Sequence, residues 1–140
     1  MFELSQPILV VENDTGAAKG FETGFAGLSI RNPLQQLCNM EEIEKYIGSY
    51  SCQKKPGLLL IEAADTRNAI EILVRFKQDS KLRLIPAVII SRETSKEDAY
   101  ESFYHGAAGF IRKPETEQEW KNALKIIYTY WQICEMPGAV

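Results

Sequence analysis

Leu58-Leu-Leu-Ile61 is a run of four apolar residues that ends on a single carboxylate, Glu62. No polar residue alternates within it, so a strand here is buried on both faces, as in a parallel sheet held between two helical layers. Three similar runs recur along the chain: Ile8-Leu-Val-Val11, Ala87-Val-Ile-Ile90 and Ala108-Gly-Phe-Ile111. A weaker strand is expected around Asn32 to Cys38. Pro33 gives it an edge position, because proline cannot donate to a ladder.

Amphipathic stretches lie between these runs and carry helix start signals. Asn39 with Glu42, Ser95 with Asp98, and Thr116 with Glu119 each pair a capping side chain with an acid three residues on. The last helix, about Thr116 to Cys134, has Trp120, Leu124, Ile127 and Trp131 at spacings of three and four, a stripe expected to face the sheet. In the first helix, about Thr15 to Leu28, Gly16, Gly20 and Gly24 recur every fourth residue. Each costs about 1 kcal/mol relative to alanine, which close helix packing would offset. Gly48 to Gly57 reads as one polar surface loop, and no internal repeat or linker interrupts the alternation. The 140 residues are therefore expected to form one α/β domain, with a core from about 7 to 131 and a short C-terminal tail.

Composition excludes several classes of function. Hydrophobic residues at 45% and charged residues at 25% are the balance of a globular chain that buries a core. Sixteen Lys and Arg against nineteen Asp and Glu, spread along the chain, form no basic face, so nucleic acid is not an expected ligand. Cys38, Cys52 and Cys134 lack metal-ligand spacing and are odd in number, which suggests neither a zinc site nor a disulfide framework. No apolar stretch reaches the roughly 18 to 20 residues that cross a bilayer, and Met1 to Gln6 shows no export signal. No membrane association is expected, and the expected location is the cytoplasm.

A parallel sheet gathers the carboxyl ends of its strands at one rim, where ligands bind near the reversal of strand order. Strand one runs into Glu12, Asn13 and Asp14, strand three into Glu62, strand four into Ser91, and strand five into Arg112, Lys113 and Pro114. Each is an ordinary loop start when taken singly. Together, the segments Ile8 to Asp14, Pro56 to Glu62, Leu82 to Ser91 and Gly106 to Pro114 resemble the receiver domains of two-component response regulators, especially the single-domain type associated with bacterial phytochromes.

The resemblance implies a flavodoxin-like three-layer fold with five helices and a five-stranded parallel sheet of order 2-1-3-4-5. It places helices one and five on one face and two to four on the other, with a cis bond between Lys113 and Pro114. A trans bond or another strand order would count against it. It also implies roles by position: an acidic pair at Glu12 and Asn13 for Mg²⁺, an acceptor at Glu62, a hydroxyl at Ser91 and a pairing ammonium at Lys113. Asn13 and Glu62 depart from the pattern, because aspartates are usual at both positions. The loop Ala63 to Asn68 also lacks the usual proline and glycine, and reads one residue short.

Mg²⁺ favours carboxylates in a near-octahedral shell, so an amide at Asn13 weakens the site, and Mg²⁺ binding is expected to be weak or absent. The extra methylene of Glu62 displaces the nucleophile, and a misplacement of about 1 Å can cost about 10²-fold. The expected function is therefore that of a non-enzymatic signalling module acting by protein–protein contact without phosphorylation and without a cofactor. Glu62 reaches toward Lys113 and Ser91 in this reading and imitates a phosphorylated acceptor; the alternative is an ion pair that only stabilises the rim. A phosphorylatable regulator with an unusual acceptor, with Asp14 or Asp65 as substitutes, stays open. A flavin or nucleotide binder using Thr15-Gly16 and Lys19-Gly20 is the remote alternative, since no phosphate-cradling glycine motif is present.

The resemblance further implies a protein partner, either a sensor histidine kinase or a downstream signalling protein, or a second copy of the chain. It assigns contact to the face of helix four, strand five and helix five, where Tyr104, Tyr128 and Tyr130 fall off the expected core stripes and Phe110 holds the position of the family's mobile aromatic. His105, the one histidine, is expected at the exposed end of helix four.

Overall fold

The computed structural model describes residues 6–13, 20–49 and 55–135. Strands β1 (Ile8–Asn13), β2 (Leu34–Leu37), β3 (Leu58–Ala63), β4 (Ala87–Ser91) and β5 (Gly109–Arg112) alternate with helices α1 (Gly20–Ala26), α2 (Met40–Ser49), α3 (Thr66–Lys77), α4 (Lys96–Tyr104) and α5 (Glu117–Ile133). All pairings are parallel and the order is β2-β1-β3-β4-β5, so the three central strands carry the longest apolar runs and β2 takes an edge next to Pro33. This is the flavodoxin-like order the resemblance implies.

Alternation along the strands sorts the core into two layers. Leu9, Val11, Leu59, Ile61, Ala87 and Ile89 meet Ile43 of α2 and Ile72 and Phe76 of α3 on one face. Ile8, Val10, Leu58, Leu60, Val88 and Ile90 meet Phe21 and Phe25 of α1 and Trp120 and Leu124 of α5 on the other. Helix α4 packs against α3 and β5. On α5, Trp120 and Leu124 are buried, while Ile127 and Trp131 pack half-buried against the same layer.

All three start signals cap a helix: Asn39 Oδ1 accepts from Glu42 N at 2.9 Å, Ser95 Oγ from Asp98 N at 3.0 Å, and Thr116 Oγ1 from Glu119 N at 3.1 Å. Asp65 supplies a fourth cap, accepting from the backbone of Asn68 at 2.8 Å; no sequence signal marks it, since the residue three further on is no acid. The segment after β3 is correspondingly short, with α3 starting at Thr66. Gly20 and Gly24 face α5 so closely that a Cβ on Gly20 would fall 2.9 Å from Trp120 Cη2, and nearer still to Cε2 and Cζ2. Gly16, Thr15 to Lys19 and Cys52 lie outside the described residues.

One expectation about the backbone fails. The Lys113–Pro114 bond is not cis, since no cis peptide occurs among the described residues. The trans form of an X–Pro bond is favoured by about 0.5–1 kcal/mol unless the surrounding turn demands otherwise. Here Lys113 N donates to Ser91 O at 2.8 Å and extends the β4–β5 ladder, and the chain continues to an extended Thr116 cap without a tight reversal. The bond counts against the resemblance and the strand order for it.

Candidate functional site

Glu62 is the fifth residue of β3 and is fully buried. Alternation puts its side chain on the face of Leu58 and Leu60, below α1 and α5, and its register partner Glu12 on β1 shares that face. Lys113 extends the parity of Gly109 and Ile111 to the same side. Its Nζ lies 3.4 Å from Glu62 Oε1, with side-chain exposures of 10% for the lysine and 0% for the glutamate. The carboxyl group of Glu62 is thus held under the rim beside a lysine that reaches the surface.

Glu12 is half-buried at the mouth of this pair. Burial pushes its carboxyl above the usual range; a hydrogen bond with Gln36 opposes that shift, Glu22 adds to it, and Lys113 pulls it back. Asn13 turns its amide away to α3, where Nδ2 donates to Asn68 Oδ1 at 2.8 Å. Asp65 is exposed and occupied with its cap. Asp14 lies outside the described residues.

Ser91 is fully buried but faces the opposite layer. Register pairs it with Ala63, one residue beyond Glu62, so alternation carries its side chain to the α3 side. There its Oγ donates to the Glu93 carbonyl at 3.0 Å, and the Thr66 hydroxyl lies 3.1 Å from both that carbonyl and Ser91 Oγ. The serine proton is therefore directed along the β4–α4 loop, and Thr66, which no sequence signal singled out, joins the site.

The surface residues divide. Phe110 is half-buried against the α2–α3 layer and lines an open groove of about 320 Å³ with Thr94, Ser95, Lys96, Ala99 and Arg112. Tyr104 is exposed, stacked on Tyr100 with centroids 6.1 Å apart and edge-on to His105, which ends α4. Tyr130 is exposed beside Trp131. Tyr128 is not a surface residue: it is buried in the α1–α5 layer and its hydroxyl donates to buried Asn32 Oδ1 at 2.8 Å. It lies four residues after Leu124 and so falls on the inward stripe.

Among solved structures, the phosphorylated cyanobacterial phytochrome response regulator RcpA superposes with a TM-score of 0.78 at 20% identity, over 96% of this chain and 99% of that one. The chain has the receiver fold. A response regulator in red light signaling of R. palustris matches as well, with a TM-score of 0.78 at 18% identity, over 96% of this chain and 99% of its own. No family model matches the sequence. One curated relative, the probable methanogenesis regulatory protein FilR2 of Methanothrix harundinacea, is 22% identical over 127 residues, 89% of this chain and 82% of the relative. The fold agreement outweighs the trans bond before Pro114, because it spans nearly every element. Among the described residues, no helix is long and apolar enough to cross a membrane.

Proposed function

We propose that this chain is a receiver-like signalling module that acts by protein–protein contact, carries no enzymatic activity and holds its rim in a fixed charge state without phosphoryl transfer. The buried Glu62–Lys113 pair at 3.4 Å carries this reading. In a receiver the lysine pairs with the phosphorylated acceptor; here a glutamate, one methylene longer, already supplies the anion. Ser91 takes no part in the pair, since its proton is directed to Glu93, so the imitation rests on Glu62 and Lys113 alone.

The described residues of the rim do not fit Mg²⁺. Octahedral oxygen ligation favours converging carboxylates, but Glu62 faces an ammonium, Asn13 is tied to Asn68, and Glu12 is hydrogen-bonded with Gln36. Phosphoryl transfer depends on positioning and on charge neutralisation by the metal, so loss of both leaves almost no rate. A protein partner, a sensor kinase or a downstream component, is proposed for the face of α4, β5 and α5, where Tyr104 and Tyr130 stand exposed and Phe110 lines a groove.

The test is intact-mass analysis after incubation with Mg²⁺ and acetyl phosphate. The wild-type chain is expected to stay unmodified, while the paired reversion Asn13→Asp with Glu62→Asp gains an adduct of about 80 Da. An adduct on the wild-type chain would establish the alternative, a phosphorylatable regulator with an unusual acceptor.

A further inference from the structure

We infer that the groove between α4 and β5 is a binding site for a small aryl carboxylate. Thr94, Ser95, Lys96, Ala99, Phe110 and Arg112 line it around an open volume of about 320 Å³. The lining holds two cations and two hydroxyls but no carboxylate, in a chain whose net charge is −3. This local excess of positive charge selects an anion. Ala99 and Phe110, both half-buried, give the groove apolar lining, which suits a flat ring as the body of the ligand. Ligand pockets run from roughly 300 to 1,000 Å³, so this groove sits at the small end and takes one ring with one anionic group rather than a dinucleotide.

Strand alternation leaves Arg112 to this groove. Arg112 ends β5 and Lys113 follows it, and successive side chains of a strand point to opposite faces. Lys113 turns to Glu62, whereas Arg112 shares the side of Phe110. Among the described residues neither Arg112 nor Lys96 is committed to an ion pair. Arginine presents a planar fork that matches a carboxylate with two parallel hydrogen bonds, and Lys96 adds a second charge on a flexible stem. Ser95 Oγ accepts from Asp98 N at 3.0 Å, so its own proton is left to donate, and Thr94 supplies a further hydroxyl beside it. Lys96 and Ala99 face the groove at a spacing of three, while the intervening Glu97 and Asp98 do not line it. Glu62, Ser91 and Lys113 do not line it either, so the inference is independent of whether the rim accepts a phosphoryl group.

The experiment is a titration of the full, isotope-labelled chain with sodium benzoate up to about 20 mM at constant ionic strength, followed by backbone amide shifts. Shifts are expected at Ser95, Lys96, Phe110 and Arg112, saturating with a dissociation constant of about 1 mM, the range for a ligand of this size. Benzamide, which keeps the ring without the charge, and acetate, which keeps the charge without the ring, should each bind at least about tenfold more weakly. Arg112→Gln and Lys96→Gln, at exposed positions that leave the fold intact, should each raise the benzoate constant about fivefold or more. Phe110→Leu should narrow the gap between benzoate and acetate. The absence of a saturable shift in the groove, equal binding of benzamide, or benzoate binding indifferent to both cation changes overturns the inference. Acetate binding as tightly as benzoate, or a gap unchanged by Phe110→Leu, overturns the assignment of an aromatic ligand.

Discussion

Removing Lys113 should damage the fold more than removing Glu62, and the two changes together should cost less than their sum. The ammonium and the carboxylate are 3.4 Å apart, which at an effective dielectric constant near 20 is a gross attraction of about 5 kcal/mol. Most of that offsets the desolvation of Glu62, which has no exposure, so the net value of the pair is small while the cost of breaking it is large. Lys113→Met strands a carboxylate in the sheet and should cost about 3–5 kcal/mol. Glu62→Gln leaves an ammonium that retains some exposure and feels Glu12, and should cost about 1–2 kcal/mol. The double variant removes both charges, giving a coupling of about 2–3 kcal/mol. Urea unfolding at neutral pH measures all four corners of the cycle. Costs that add within about 0.5 kcal/mol, with Lys113→Met below about 1 kcal/mol, would show that the pair is a solvated contact and would remove the basis for a built-in anion.

Two further changes test the surroundings of the site. Gly20→Ala drives a methyl into the Trp120 ring, which is itself held edge-on to Phe21 at 5.2 Å, so overpacking should cost about 1–3 kcal/mol. Gly48→Ala, with no atom within 4 Å of the added methyl, should instead stabilise by up to about 1 kcal/mol; thermal melts of both variants check the contrast, and equal shifts would contradict the close α1–α5 packing. Glu12 retains its proton in the folded state at pH values where the unfolded chain has lost it, because burial raises its value above 4.5. Its contribution to stability is therefore complete below the unfolded value and is lost as pH rises through the raised one. Glu12→Gln should remove that decline and leave the variant more stable than wild type at pH 7; a less stable variant at that pH, measured by urea midpoint, contradicts the sign.

The strands were legible because a parallel sheet covered on both faces demands uninterrupted apolar runs, and four such runs are in the sequence. The caps at Asn39, Ser95 and Thr116 were legible because they are local, three residues from side chain to backbone. Asp65 escaped because Asn68 is no acid, although its backbone is what the cap requires. Tyr128 is hidden in the sequence beside Ile127, which with Trp131 marks the more obvious stripe, and only the four-residue step from Leu124 shows that it faces inward. Its partner Asn32 is 96 positions away, so no local pattern shows that the hydroxyl is satisfied inside.

The rim itself was only half legible, for a reason that lies in register. That Glu62, Ser91 and Lys113 end their strands at one edge follows from counting apolar runs. Which of them share a face does not, because the side-chain period is two and a shift of one residue between neighbouring strands reverses the answer. β3 and β4 pair with Ala63 opposite Ser91, so Glu62 and the serine are sorted to opposite layers, while β5 runs on to bring Lys113 to the side of Glu62. The sorting explains why the buried carboxylate has an ammonium within 3.4 Å while the serine hydroxyl bonds Glu93 and meets Thr66. It also means that reverting Glu62 to aspartate shortens the anion without moving Ser91 across the sheet, so the hydroxyl can return to the site only by a rearrangement of the β4–α4 loop that frees it from the Glu93 carbonyl.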